Sequence, residues 1–207
     1  MKELPVWLIV LTGGFVILLL VSVLGPFIGE GPPEYAPTRA EPEDVGEDLV
    51  TDRLVTLEAR DENRWVFFDF STGSAVEHPG PLGWDLAVRR FQVVTNGGPS
   101  FEGSGGAIDL GETPFEEVAR APENGYLDTQ GSLSGQVANP ALEDWYRYSF
   151  TSHTLMPHPR SYAIRTADGR YARVRILGYY CPGATPGCLT FRYGYQGDGS
   201  RRLAVER

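Results

Sequence analysis

Residues 162–180 read YAIRTADGRYARVRILGYY, and this stretch decides the fold. The Asp-Gly pair at 168–169 tolerates the positive φ values of a type I′ turn, and strand-forming residues lie on both sides of it. After the turn, Val174 and Ile176 alternate with arginines, which is the two-residue period of a β-strand with one buried face. The sequence therefore predicts an antiparallel hairpin with strands at 162–166 and 170–180.

The residues that follow this hairpin repeat its pattern. Residues 189–196, LTFRYGYQ, place one leucine and three aromatic rings on a single face, so a further strand is expected there. Cys181 and Cys188 stand at either end of PGATPG, between the two patterned strands. Outside the cytoplasm such a pair is oxidised, and we predict a structural disulfide. A redox-active pair is the alternative, but the spacing is not CxxC and no helix N-terminus follows to lower a thiol pKa.

Strand patterns also recur earlier in the chain, at residues 53–59, 65–70 and 84–94. Two short helices are expected between the strands. Thr113-Pro114 followed by Glu116 has the features of a capping box and predicts a helix over 114–120, and Asn139-Pro140 is expected to open a second one. The 25 Gly and 16 Pro disfavour a helical bundle. The expected fold class is mainly β, a single antiparallel β-rich domain with two short helices.

The beginning of the chain predicts a membrane anchor. Residues 6–24 carry no charge, and at a helical rise of ~1.5 Å they span about 28 Å, close to the hydrocarbon thickness of a bilayer. A cleaved signal peptide is the alternative, but its apolar stretch is usually shorter, and Pro26 would obstruct cleavage after Gly25. We therefore expect a single transmembrane helix over 1–28. Because Lys2 precedes it, the N-terminus is expected in the cytoplasm and the main domain in the periplasm of a bacterial inner membrane.

A second segment, residues 29–48, is acidic and rich in proline. It holds four prolines and seven acidic residues, opposed by Arg39 alone. Proline restricts the backbone and like charges repel, so this linker is expected to be an extended, solvated spacer. If it were ordered, a neighbouring protein would be the expected cause. The predicted organisation is a transmembrane helix at 1–28, the linker at 29–48 and a periplasmic β domain at 49–207.

Composition and motifs exclude several classes of function. The 18 Lys+Arg against 27 Asp+Glu give a net charge of −9, which argues against a nucleic-acid partner. Two cysteines cannot form a four-thiolate zinc site. The glycine-rich run at 97–107 lacks the Lys-Ser/Thr of a phosphate-binding loop and is interpreted as a tight backbone turn. The chain has neither a GxSxG elbow nor HExxH, so we do not expect an enzyme.

One patch of the sequence, SHTLMPHP at 152–159, carries side chains that could bind a cofactor. It contains His153, Met156 and His158, and imidazole and thioether groups both serve as haem-iron ligands. The patch could therefore bind a haem. The alternative is that a loop broken by proline leaves both histidines in solvent.

Three blocks together resemble the HmuY-like family of secreted, β-rich haem-binding proteins. They are residues 84–107, which begin WDLAVRRF and continue into TNGG, and residues 162–180 and 189–196. The resemblance covers essentially the whole domain beyond the linker, and it implies a mostly antiparallel β fold and a haem role.

Two functional hypotheses follow from the anchor and the resemblance. The preferred one is a non-catalytic accessory subunit of an inner-membrane complex, such as an energy-transducing one, without a cofactor. Its partners are expected to be other inner-membrane subunits and the lipid bilayer. The alternative is a haem-binding or haem-delivery protein that uses His153, Met156 or His158.

Overall fold

The computed structural model describes residues 31–204. The described chain forms thirteen strands: β1 Leu49–Glu58, β2 Val66–Asp69, β3 Ser74–Val76, β4 Leu86–Arg89, β5 Gln92–Thr95, β6 Gly106–Asp109, β7 Gln130–Gly131, β8 Val137–Ala138, β9 Tyr146–Ser149, β10 Thr154–Pro157, β11 Tyr162–Arg165, β12 Tyr171–Cys181 and β13 Thr185–Gln196. Within these residues the one helical element is a single 3-10 turn at Phe115–Glu117.

Two antiparallel sheets enclose the main core. One has the strand order β1-β13-β12-β11-β6 and the other β3-β2-β4-β5, while β9–β10 and β7–β8 form two smaller pairs. Aromatic rings from β2 meet rings from β13 edge to face, with centroids 5.2 Å apart for Phe68 and Phe191 and 5.3 Å apart for Phe70 and Tyr193. Such contacts combine a large buried apolar area with a preferred ring geometry. The prediction of a mainly antiparallel β fold is confirmed.

The hairpin at 162–180 forms as β11 and β12, but its turn differs in detail from the prediction. Gly169 has a φ of 84°, whereas Asp168 stays at negative φ, and the Gly169 N–H donates to the Thr166 carbonyl. The connection is therefore a type I turn followed by one left-handed glycine, rather than a type I′ turn. Beyond β12, Cys181 and Cys188 are joined by the predicted disulfide.

The predicted strand at 84–94 is in fact two strands. Arg89 pairs with Gln92, so Arg90 and Phe91 form a two-residue turn, and Arg90 has a φ of 55°. The Arg90 N–H donates to the Ala59 carbonyl, and the Trp145 indole N–H donates to the Phe91 carbonyl. These long-range contacts fix a turn that the strand pattern of residues 84–94 does not reveal.

The prediction of two short helices is wrong. The Thr113 hydroxyl donates back to the Leu110 carbonyl instead of capping the next turn, and only the 3-10 turn at Phe115–Glu117 forms. Phe115 is held there between two guanidinium groups, those of Arg173 at 4.4 Å and Arg192 at 4.3 Å from its ring centroid. Residues 140–145 form irregular turns instead of a helix, and the Asn139 side chain there accepts a hydrogen bond from the Ala141 N–H and donates one to the Leu127 carbonyl.

The transmembrane helix expected over 1–28 lies outside the described residues and stays a prediction, as does the inner-membrane location that depends on it. Within residues 31–204, no helix has the length and apolar character that a membrane span requires.

From Pro32 onward most of the acidic linker is exposed, but it is not a free spacer, because residues 32–48 lie along their own domain. The Tyr35 N–H donates to the Tyr180 carbonyl, and the Tyr35 ring lies against Gly178, where a Cβ would come within 2.7 Å of it. Further along, the Thr38 N–H donates to the Thr56 carbonyl of β1. The segment therefore lies beside the outer edge of β1, where its prolines limit pairing with another chain.

One carboxylate fastens this segment to the disulfide-closed hairpin. Glu34 accepts hydrogen bonds from the N–H groups of Gly183 and Ala184 at 2.8 and 2.9 Å. Because charge-assisted bonds of this kind are stronger than neutral ones, we expect Glu34 to hold the beginning of the segment in place.

We therefore expect Glu34→Gln to loosen this segment by about 1 kcal/mol. Trypsin should then cleave after the exposed Arg39 about fivefold faster, because cleavage follows the population of the opened form. Glu47→Gln, at an exposed carboxylate of the same segment, serves as the matched control. Equal cleavage rates in the two variants would contradict a fastening role for Glu34.

The blocks that carry the family resemblance have structural roles. Asp85 is buried and accepts hydrogen bonds from the N–H groups of Phe70 and Ala167, one on each carboxylate oxygen. Asn96 is buried as well, and its side-chain amide donates to the Pro81 and Trp84 carbonyls. The Asp85 contacts link the ends of β2 and β4, which belong to one sheet, to the β11–β12 turn of the other sheet.

The glycine run at 97–107 packs backbone against backbone. A Cβ on Gly97 would overlap the main chain of Gly105, and a Cβ on Gly105 would overlap that of Asn96. The close approach agrees with the interpretation of this run as a tight backbone turn.

Candidate functional site

The β9–β10 hairpin carries the candidate site, and its base is fixed to the core. Tyr146 and Leu155 pack against the main core, and the Leu155 N–H donates to the Tyr180 hydroxyl at 2.8 Å. The register pairs Tyr148 with Leu155 and Arg147 with Met156. Since residues directly opposite share a face, Tyr148 lies on the same side of the hairpin as Leu155. Towards the tip this side extends beyond the core into solvent.

The tip of the hairpin presents an imidazole among aromatic rings. His153 takes a left-handed conformation with a φ of 54°, and its Nδ1 lies 2.6 Å from the Tyr148 hydroxyl oxygen. The Phe150 ring is 82% exposed and stacks edge to face on Tyr148, with centroids 5.0 Å apart. His153 is exposed, and among the hydrogen bonds of the described residues its ring makes only the one to Tyr148, so Nε2 has no hydrogen-bond partner among them.

The structure separates the three side chains that the sequence singled out. Met156 pairs with Arg147, and because side chains alternate along a strand it lies on the face opposite Tyr148 and His153. His158 follows β10 at the base of the hairpin, where its Nε2 is 3.8 Å from a carboxylate oxygen of Asp144. His158 lies five residue steps along the strand from His153, at ~3.3 Å each. At this separation the two imidazoles cannot reach one iron from the hairpin.

Asp144 also contacts the Arg160 guanidinium at the base of the hairpin. Arg160 bridges it to Asp109, with nitrogen–oxygen distances of 3.3 and 2.6 Å. The pKa of Arg160 is raised by its hydrogen bond to Asp109. His158 thus stands beside an ion-pair network that joins the hairpin to β6, a position typical of a structural histidine.

A shallow groove lies beside the hairpin. It has a volume of about 220 Å³ and is lined mainly by apolar residues of β5, β8 and the turn before β9, with Phe91 and Tyr146 at its rim. This volume is below the range in which pockets enclose a drug-sized ligand. Among the described residues, no cluster of three or more His, Cys, Asp or Glu side chains could hold a metal ion. A large planar ligand therefore fits an open surface of this domain better than this groove.

The sequence of residues 61–193 matches the HmuY protein family. The chain belongs to the HmuY family. No curated protein matches the sequence.

Solved structures share the fold of this HmuY-family chain. The apo HmuY analogue of Tannerella forsythia has a TM-score of 0.59 and 18% identity, over 74% of this chain and 99% of that one. A Bacteroides vulgatus protein described as HmuY-like and haem-binding has a TM-score of 0.54 and 24% identity, over 70% and 91%. Apo PinO, from Porphyromonas gingivitis, has a TM-score of 0.56 and 13% identity, over 70% and 97%.

These findings correct the preferred functional hypothesis. An accessory subunit of an inner-membrane complex is wrong, since the chain belongs to the HmuY family. The finding favours the alternative, a haem-binding protein.

Sequence reasoning missed Tyr148, which is hydrogen-bonded to His153, and Phe150, whose ring packs on Tyr148. A signal was present, because YRYSF at 146–150 alternates aromatic residues directly before the histidine patch. The prediction of a helix over this stretch concealed the alternation.

Proposed function

We propose that this HmuY-family chain is a non-catalytic haem-binding protein, and that the imidazole of His153 supplies an iron ligand. Family membership supports the haem role. The observation that carries the residue assignment is the exposed His153 ring at the hairpin tip, which is hydrogen-bonded to Tyr148 at Nδ1 and has no partner for Nε2 among the described residues. Met156 and His158 are the less favoured candidates, because each lies away from this cluster.

The residues at the tip fit haem by the chemistry of their side chains. An imidazole nitrogen is a common ligand of haem iron. At this site a bound haem would supply the iron, and His153 would hold it. An exposed aromatic ring such as Phe150 offers an apolar surface on which a porphyrin plane can pack. The hydrogen bond at Nδ1 restrains the orientation of the imidazole and leaves Nε2 available to a ligand.

Titration of the purified protein with haemin tests the proposal, with the Soret band as the readout. The wild type should shift the Soret band of free haemin. His153→Asn should weaken binding at least tenfold, because it removes the imidazole. Asparagine is chosen because it tolerates the left-handed backbone of this position.

His78→Asn is the matched control. His78 is also exposed and also left-handed, with a φ of 51°, but it lies in the turn after β3. It should bind haemin like the wild type. A wild type that leaves the Soret band unchanged would contradict haem binding. Full binding by His153→Asn, with loss in Met156→Leu or His158→Asn, would contradict the residue assignment alone.

A further inference from the structure

The contact between Tyr148 and His153 resembles the outer hydrogen bonds that orient metal-binding imidazoles in proteins. The Tyr148 hydroxyl oxygen lies 2.6 Å from Nδ1, and the two ring centroids are 6.1 Å apart. A neutral imidazole carries one proton, so a proton on Nδ1 leaves a lone pair on Nε2 for a ligand. Histidines that bind metals regularly donate their second N–H to such an acceptor.

The fold holds both partners of this hydrogen bond in place. Tyr148 is fixed by the strand pairing of β9 with β10, where it faces Leu155. Leu155 packs on the core and donates its N–H to Tyr180, so the position of Tyr148 depends on buried contacts. His153 is held by the left-handed backbone of the tip. The backbone therefore places the His153 ring within hydrogen-bond distance of the Tyr148 hydroxyl.

We propose that Tyr148 is a positioning residue for His153: its hydroxyl oxygen accepts a hydrogen bond from the Nδ1–H group, and this contact directs the Nε2 lone pair towards solvent. This inference rests on the proposed function, in which His153 binds haem iron through Nε2. It also predicts a property of the ligand-free protein, namely the tautomer of His153. A neutral histidine in water prefers the proton on Nε2. The Nδ1 tautomer is therefore favoured only where the protein stabilises it, here through the hydrogen bond to Tyr148.

Nitrogen-15 NMR of the His153 ring in the haem-free protein, at a pH where the ring is neutral, tests the inference. We expect the wild type to carry the proton on Nδ1 and Tyr148→Phe to carry it mainly on Nε2. Tyr146→Phe is the matched control, since it removes a hydroxyl from the same face of the same strand. A wild-type ring protonated mainly on Nε2, or a tautomer unchanged in Tyr148→Phe, would overturn the inference.

Haemin binding supplies the second readout. Tyr148→Phe should weaken binding by about 10- to 100-fold, the usual effect of removing an outer hydrogen-bond partner of a metal ligand. It should also raise the reduction potential of the bound iron, because a ligand that loses its acceptor donates less electron density. Tyr146→Phe should change neither quantity.

The two proposals fail in different ways. A wild type with the Nδ1 tautomer but without a Soret shift would contradict the haem role and keep the positioning role of Tyr148. A wild type that binds haemin through His153, with Tyr148→Phe binding equally well, would contradict the positioning role alone.

Discussion

Replacing Asp85 with alanine is expected to lower the free energy of unfolding by about 2–5 kcal/mol. The side chain is 4% exposed, and its two oxygens accept the N–H groups of Phe70 and Ala167 at 2.9 and 2.8 Å. Alanine would leave two donors buried without partners, and each unsatisfied group costs about 1–3 kcal/mol. Urea denaturation followed by circular dichroism measures the loss.

The size of this loss should depend on pH. Burial raises the pKa of Asp85 from its ordinary value of 3.8 to about 7, against the lowering effect of its two backbone hydrogen bonds. Between about pH 4 and pH 7 the folded state keeps a proton that the unfolded chain releases, so this group's contribution to stability falls as the pH rises. Alanine has no such group, and the difference between wild type and Asp85→Ala should be larger at pH 4.5 than at pH 7.5.

Glu62→Ala, at an exposed carboxylate, is the control for this experiment. It should change stability by less than about 0.5 kcal/mol at either pH. A cost of Asp85→Ala that rises from pH 4.5 to pH 7.5 would contradict the raised pKa. A variant as stable as the wild type at both values would contradict the structural role itself.

Gly97→Ala is expected to cost at least about 3 kcal/mol or to prevent folding. The added Cβ would overlap the main chain of Gly105, coming within 2.7 Å of its nitrogen and closer still to its carbonyl oxygen. Backbone atoms cannot move aside as a flexible side chain can, so the whole turn would have to shift. The same denaturation measurement applies, with the yield of folded protein as a second readout.

Gly80→Ala provides the contrast, because a Cβ there meets no atom within 4 Å. Its stability should stay within about 0.5 kcal/mol of the wild type. If both glycine variants unfolded alike, or if Gly97→Ala were fully stable, the close packing of the glycine run would be refuted.

The candidate site was only partly predictable from the sequence. His153, Met156 and His158 stand within six residues of one another and carry the right chemistry, but a strand sends neighbouring side chains to opposite faces. Only the pairing register of β9 with β10 shows that Tyr148 shares a face with Leu155 and that Met156 does not. That register depends on contacts with β12 and the core, which short-range periodicity cannot reveal.

The acidic linker is a second case in which the local sequence pattern does not reveal a long-range contact. Its composition correctly indicates a segment unable to build a core of its own. The Glu34 contacts with Gly183 and Ala184 nevertheless fix it to a hairpin about 150 residues away in the chain. A local pattern carries no information about such a partner.

The sequence by itself determined the antiparallel β class, the hairpin at 162–180, the disulfide between Cys181 and Cys188, and membership of the HmuY family. The β class, the hairpin and the disulfide follow from alternation, turn residues and spacing, which act over a few neighbouring positions, whereas the family follows from the sequence match over residues 61–193. Tertiary structure alone decided the turn at Arg90, the absence of the helix expected at 114–120, and the meeting of Tyr148 with His153. Each of these depends on atoms far apart in the chain, whose packing and hydrogen bonds outweigh local preference.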